Sequence, residues 1–120
     1  MQNNIHKGNI GETMAVEHLI KNGYSVLDVN WRFKHLEIDI IASINKTLVI
    51  VEVKLRSGNT FGNPEEFVTK SKQKNLVKAA DAYIKGKNSD WETRFDIISI
   101  IQNPSELSIN HITEAFYPRL

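Results

Sequence analysis

The sequence contains no cysteine, and this absence excludes disulfides and thiolate chemistry. It has four histidines, but they are scattered, which leaves little for a zinc site. It also lacks any apolar run close to the roughly 20 residues that a membrane span needs. The first residues, MQNNIHKGNIGE, hold no hydrophobic signal core, so we expect no export and predict a cytoplasmic protein.

A large net charge of either sign is missing as well, since the formal charge is only +1. Residues 54–87 are an exception, with eight Lys or Arg against three acidic residues, a net +5 that leaves −4 elsewhere. This bias is typical either of a phosphate-facing surface or of a solvated lysine-rich helix face, and charge alone favours the second. The 120 residues, 41% hydrophobic and 24% charged, predict one globular domain spanning residues 1–120.

Hydrophobic periodicity predicts the element order α-β-β-β-α-β-β. The helices are predicted at residues 8–22 and 65–85, and the strands at 24–33, 36–42, 48–55, 94–101 and 107–116. Residues 43–47 hold a turn, and residues 57–64 form a loop rich in Gly, Asn and Pro. The predicted fold class is α/β, a central mixed sheet flanked by helices, with a helical crossover that links non-consecutive strands.

Four ionisable residues interrupt the two most apolar strands, namely Glu37, Asp39, Glu52 and Lys54. If the strands form a hairpin that turns about Asn45-Lys46, facing residues have numbers that sum to 91. Asp39 then lies opposite Glu52, and Glu37 lies opposite Lys54. Alternation along each strand places all four on one face of the sheet. A three-residue loop would shift the pairing by one but leave the shared face of each strand intact.

Two opposed carboxylates among Ile, Val and Leu should repel, so one of them should take up a proton. A hard divalent cation removes this conflict, because Mg²⁺ favours a few carboxylates together with waters and phosphate oxygens. The alternative is a plain cross-strand ion pair of Glu37 with Lys54, with the other acids near a wet sheet edge. The spacing by itself leaves both interpretations open.

Asp39, followed across a turn by Glu52-Val53-Lys54, resembles the PD-(D/E)XK nuclease motif. More closely, the chain resembles the YraN-like family of predicted endonucleases, which is related to archaeal Holliday junction resolvases. The similarity covers nearly the whole chain in the expected order. Its matching pieces are Gly8, Gly11-Glu12, Ala15, Asn30-x-Arg32, Glu37-Ile38-Asp39, Val51-Glu52-Val53-Lys54-x-Arg56, Lys72-Gln73, Arg94-Phe95-Asp96, His111-Ile112 and Ala115-Phe116.

The resemblance implies a restriction-endonuclease-like α-β-β-β-α-β core and a metal-dependent endonuclease that hydrolyses DNA, including branched DNA such as Holliday junctions. It implies Mg²⁺ as the cofactor, with Mn²⁺ as a substitute, and allows a homodimer. Asp39 and Glu52 would be the principal metal ligands, the Val53 carbonyl a further one, and Glu12 an additional acid. Lys54 would orient or deprotonate the attacking water, or stabilise charge on the phosphate. Glu12 has a second interpretation as a glutamate favoured by the helix dipole.

Further residues are assigned supporting roles by the same resemblance. Lys72 would hold a phosphate with Gln73 beside it, and Arg32 and Arg56 are further phosphate candidates. Glu37 would hold Lys54 in place. One departure is visible: Leu36 stands where the family usually has glycine, and a side chain there is expected to alter the strand entrance and narrow access to the metal. The competing hypothesis is a nuclease-like module that binds nucleic acid or protein without cutting.

Overall fold

The computed structural model describes residues 10–57, 68–85, 87 and 90–117. These residues form two helices and five strands in the predicted order: α1 (Ile10–Lys21), β1 (Ser25–Phe33), β2 (Leu36–Ile44), β3 (Thr47–Ser57), α2 (Lys70–Ile84), β4 (Glu92–Asn103) and β5 (Glu106–Phe116). Most of the predicted loop at 57–64, the predicted helix start at Glu65 and Gly86, expected at the helix end, lie outside the described residues.

The strands form one mixed sheet in the order β1-β2-β3-β4-β5. Strands β3 and β4 run parallel, whereas the other neighbours are antiparallel. Parallel neighbours need a crossover connection, and α2 lies in it. The predicted α-β-β-β-α-β core is therefore confirmed. The prediction that the crossover links non-consecutive strands is wrong, because β3 and β4 follow each other along the chain.

The sheet lies between the two helices and has a hydrophobic cluster on each face. Alternate residues of the central strands belong to different clusters: Ile50 and Ile97 pack with α2, whereas Val51 and Ile98 pack with α1. Helix α2 contributes the buried residues Leu76, Ala79, Ala80 and Tyr83, and α1 contributes Ala15 and Leu19. Since β3 and β4 are covered on both faces, they read as nearly continuous apolar runs.

The hairpin of β2 and β3 has the register that the sequence predicts. Its pairs run from Ile44↔Thr47 to Ile40↔Val51, so the facing residue numbers sum to 91. The turn has two residues, Asn45 and Lys46, with φ values of 49° and 60°. Two successive left-handed residues define the type I′ turn, whose twist matches that of the flanking strands. The three-residue alternative is therefore excluded.

The exposed face of α2 carries the basic residues that the sequence places there. Lys70, Lys74 and Lys78 are exposed, as is Lys85 directly after the helix. Neither described helix has the length and apolarity that crossing a membrane would require.

Candidate active site at a fork in the sheet

The candidate site lies where β2 and β3 separate. Their pairing ends at Ile40↔Val51, after which β2 continues along β1 through Arg32↔Glu37, and β3 continues along β4 through Lys54↔Ser99. The acidic residues of both strands fall at the base of this fork. The ladder contains neither of the two predicted pairs of ionisable residues, Asp39 with Glu52 and Glu37 with Lys54, because the two strands have already diverged at these residues.

The alternation of β2 also changes at Asp39. Leu36 and Ile38 pack in the cluster beneath α2, whereas Ile40 and Ala42 pack in the cluster beneath α1. On the neighbouring strand, Asn30 lies between the pairs Val29↔Ile40 and Trp31↔Ile38, and it has a left-handed backbone with φ 54°. A regular strand would keep Ile38 and Ile40 on one face. The prediction that Glu37 and Asp39 share a regular face with Glu52 therefore fails on β2.

Asp39 joins the two arms of the fork through its side chain. Its Oδ2 accepts a hydrogen bond of 2.8 Å from the backbone N–H of Val53. The carboxyl thus accepts a hydrogen bond from a backbone N–H of β3 just beyond the last β2–β3 pair. Burial raises the pKa of Asp39, although this hydrogen bond and the charge of Lys72 act in the opposite direction.

Glu12 reaches the same place from the first turn of α1. The preceding Gly11 is buried, and a Cβ added there would lie 3.3 Å from Cβ of Leu55 and 3.6 Å from Cγ1 of Val53. The missing side chain therefore lets the start of α1 approach β3 closely. Burial, followed by the charge of Asp39, raises the pKa of Glu12 from 4.5 to about 7. The side chain of Asn30 acts in the opposite direction and lowers the pKa of Glu12, so the surroundings of Glu12 include more than the helix dipole.

Glu52 is the most buried of the three acids, with 5% of its surface exposed. Its Oε2 lies 3.6 Å from Nζ of Lys54 and 3.6 Å from Nζ of Lys72. Burial and the charge of Asp39 nevertheless raise the pKa of Glu52 from 4.5 to about 7, against the opposing effect of the two lysines. The contact also confirms that Glu52 and Lys54 share one face of β3, as their spacing predicts.

The other oxygen of Glu52 bears on what this cluster can hold. Within the described part of the chain, Oε1 of Glu52 and Oε1 of Glu12 are buried without a hydrogen-bond partner. A buried, unpaired carboxylate oxygen is unfavourable by about 1–3 kcal/mol or more. No group of three or more His, Cys, Asp and Glu close enough to hold a metal ion is found among the described residues. The two unpaired oxygens fit a hard cation that takes one or two carboxylates and completes its shell with water and phosphate, and the described residues offer no zinc site closed by protein ligands.

Lys72 is positioned by the capped start of α2. The side chain of Thr69 accepts a hydrogen bond of 3.1 Å from the backbone N–H of Lys72, which is the standard N-cap contact. Gln73 donates from Nε2 to the carbonyl of Val68 at 3.1 Å. Gln73 therefore stabilises the first turn of α2 and supports the position of Lys72 indirectly.

The remaining predicted residues lie around the fork. Arg32 is exposed and lies 3.6 Å from Glu37, so Glu37 pairs with Arg32 and not with Lys54. Arg56 is half-buried on β3, two residues beyond Lys54. Leu36 is 8% exposed and packs in the core beneath α2. The expectation that the Leu36 side chain narrows the entrance is therefore wrong, because the side chain is directed into the core.

Asn30 had no predicted role, and it contributes to the site through its left-handed backbone and by lowering the pKa of Glu12. A non-glycine residue in the left-handed region is not readable from periodicity, although Asn is the residue type that tolerates it best. Asp96 and His111, two of the residues that match the family, belong to a separate network. Arg94 donates two hydrogen bonds to Asp96, of 2.9 and 2.8 Å, and His111 lies 2.8 Å from Asp96.

Comparison with known proteins agrees with the extent of this fold. The model of the uncharacterised protein family UPF0102 matches residues 11–100. A UPF0102 protein of Flavobacterium psychrophilum is 48% identical over 110 residues, which are 92% of each chain. A UPF0102 protein of Bacteroides thetaiotaomicron is 49% identical over 113 residues, 94% of this chain and 93% of the relative. These relatives carry the family name and no stated activity.

Proposed function

The chain belongs to the uncharacterised protein family UPF0102, the YraN-like family, and within it we propose a metal-dependent nuclease of the PD-(D/E)XK superfamily, related to Holliday junction resolvases. Its reaction is the hydrolysis of phosphodiester bonds in DNA. One observation carries the proposal: Glu12 and Glu52 each have a buried carboxylate oxygen, beside Asp39, that finds no hydrogen-bond partner among the described residues. Such a cluster is unfavourable unless a cation or a proton compensates it.

Asp39 and Glu52 would hold the cation, Mg²⁺ or Mn²⁺, because they come from the two arms of the fork and interact electrostatically. Glu12 would complete the set directly or through water, and the carbonyl of Val53 is a further candidate. A divalent cation here would supply Lewis-acid chemistry to the phosphate and the attacking water.

The lysines supply the positive charge that a phosphate requires. Lys54 shares a face with Glu52 and has 23% of its side chain exposed, so it would orient or deprotonate the water, or stabilise charge on the phosphate. Lys72 has 40% of its side chain exposed and would hold a neighbouring phosphate. Both lysines contact Glu52 in this structure, and substrate would draw them away from it. Arg32 and Arg56 would contact phosphates further along the DNA.

The second candidate function is a nuclease-like module that binds nucleic acid or protein without cutting. The observation in its favour is that both lysines are already paired with Glu52, so the charges can be balanced without a cation. The low net charge of +1 points in the same direction.

Cleavage separates the two functions. The chain is incubated with Mn²⁺ and labelled single-stranded, duplex, flap and four-way-junction DNA. Glu52→Gln is the test variant, and Glu92→Gln, an exposed glutamate at the other end of the sheet, is the matched control. Cleavage by the wild type and Glu92→Gln, lost in Glu52→Gln, supports the nuclease. Equal cleavage by all three proteins indicates a contaminant, and binding without cleavage favours the second function.

A further inference from the structure

We propose that the exposed ring of Phe33 is a stacking platform for an unpaired base of the DNA substrate. Arg32 and Lys34, on either side of it in the chain, would contact the phosphates that flank this base. The inference rests on the proposed function. It adds that the substrate has at least one base outside a duplex close to the hydrolysed bond.

The ring of Phe33 is both exposed and supported from within. Phe33 is the last residue of β1, and 43% of its surface is exposed. Its ring stacks with that of Trp31, with centroids 6.2 Å apart and planes 7° from parallel. Trp31 in turn packs edge-on against Tyr83 of α2 at 5.2 Å. Phe33 is therefore an exposed aromatic ring that rests on the half-buried ring of Trp31, which packs against the core.

The charges around Phe33 suit a nucleotide. Arg32 has 70% of its side chain exposed, and Nζ of Lys34 lies 5.3 Å from the centroid of the Phe33 ring. An exposed cation–π contact is weaker than the stacking of a base on an aromatic side chain. A base would therefore displace Lys34 from the ring, and the lysine would then be available to a phosphate.

The position of Phe33 connects it to the carboxylates. Phe33 pairs with Leu36 at the end of the β1–β2 hairpin, on the same arm of the fork as Asp39. Asp39 lies three residue steps along the strand from Leu36, a distance of about 10 Å. This is about three base steps of stacked DNA.

The chemistry of duplex DNA then restricts the substrate. A base within a duplex has both faces covered by its neighbours, so it must leave the stack before an aromatic side chain can cover one of them. Single strands, flaps and junctions offer such bases at low cost. Phe33 would accordingly favour these structures over continuous duplex, and the preference would appear in binding as well as in cleavage.

Binding is measured by fluorescence anisotropy in the Glu52→Gln background in EDTA, on labelled single-stranded, flap and fully paired DNA. We expect Phe33→Ala to weaken binding of the first two by about 5- to 100-fold and of duplex by less than about 2-fold. Phe33→Leu, which retains apolar bulk, should behave like Phe33→Ala, and Phe33→Trp like the parent. Tyr117→Ala removes an aromatic residue that is 68% exposed at the far end of the sheet, and serves as the matched control.

Equal weakening on all three DNAs, or an effect no larger than that of Tyr117→Ala, would overturn the proposal. Its failure is distinguishable from that of the nuclease. If the protein cleaves DNA but Phe33→Ala has no selective effect on binding, the stacking platform is wrong and the nuclease is supported. If Phe33→Ala selectively loses single-strand binding but the protein cleaves no DNA, the platform is supported and the nuclease is contradicted.

Discussion

The Asp39 carboxylate accepts a hydrogen bond of 2.8 Å from the backbone N–H of Val53, at the point where β2 and β3 stop pairing. This single bond connects the arm formed with β1 to the arm formed with β4. It also brings the charge of Asp39 close to Glu52, whose pKa it raises. Scaffold and candidate site therefore share the same side chain.

Asp39→Asn should raise the melting temperature of the cation-free protein. The amide oxygen can still accept from Val53, and the amide N–H₂ can donate to Glu12, while the repulsion with Glu52 disappears. Asp39→Ala removes the acceptor as well and should lower the free energy of unfolding by about 1–3 kcal/mol. Thermal unfolding in EDTA distinguishes the two variants. Destabilisation of equal size in both would show that the charge of Asp39 stabilises the fold.

The free energy of unfolding should fall as pH rises between 4.5 and about 7. Glu12 and Glu52 both have a pKa raised from 4.5 to about 7, so the folded chain binds more protons than the unfolded chain in this range. Their protonated forms favour folding below this window, and that contribution is lost as pH rises through about 7. Urea unfolding from pH 5 to 8 measures the slope, which should be shallower in Glu52→Gln. An unchanged slope in this variant contradicts the assignment.

Added Mg²⁺ should reverse this loss of stability at high pH. A cation binds deprotonated carboxylates, so its stabilising effect should grow as pH rises through about 7. Melting temperatures with and without Mg²⁺ at pH 6 and pH 8 test this. A shift of equal size at both pH values would indicate binding elsewhere on the surface.

Lys54→Met should lower the rate of DNA cleavage by about 10²–10³-fold, the usual effect of removing one group that stabilises charge in a transition state. Lys72→Met should have a smaller effect, because Lys72 lies on α2 and is assigned to a neighbouring phosphate. Initial rates at saturating DNA measure both. A larger loss of cleavage rate in Lys72→Met than in Lys54→Met would contradict the roles assigned to the two lysines.

Asp96→Asn should destabilise the fold by about 3–5 kcal/mol, because it leaves a largely buried guanidinium without its anion. Asp96 is fully buried and accepts two hydrogen bonds from Arg94. It also hydrogen-bonds His111 and accepts a hydrogen bond from the backbone N–H of Glu114. Urea unfolding measures the loss. Arg32→Gln, which breaks the exposed pair with Glu37, is the control and should change stability by less than about 1 kcal/mol. Similar losses in both would contradict a structural role specific to Asp96.

Much of this architecture is readable from local signals. The β2–β3 register follows from the lengths of two apolar runs about Asn45-Lys46, because a two-residue turn leaves only one pairing. The spacing of Leu76, Ala80 and Tyr83 likewise predicts the buried side of α2. These features depend on residues close to one another in sequence.

The divergence of the strands depends on contacts that period-two reasoning does not contain. An idealised strand continues straight and would place Glu37 opposite Lys54. In the structure, β2 leaves β3 after Ile40 and continues along β1. The left-handed Asn30 that accompanies this change has no signature in hydrophobic pattern. Leu36 was expected to narrow the entrance to the site, whereas its side chain packs in the core beneath α2.

The proposed nuclease requires a divalent cation bound by Asp39 and Glu52. Binding is measured by titration of Mn²⁺ followed by electron paramagnetic resonance, because bound Mn²⁺ loses the sharp signal of the free ion. At pH 8 we expect Mn²⁺ to bind the wild type and to be displaced by Mg²⁺, with binding lost in Glu52→Gln and retained in Glu92→Gln. A signal that stays that of free Mn²⁺ throughout the titration, or identical binding by all three proteins, would contradict it.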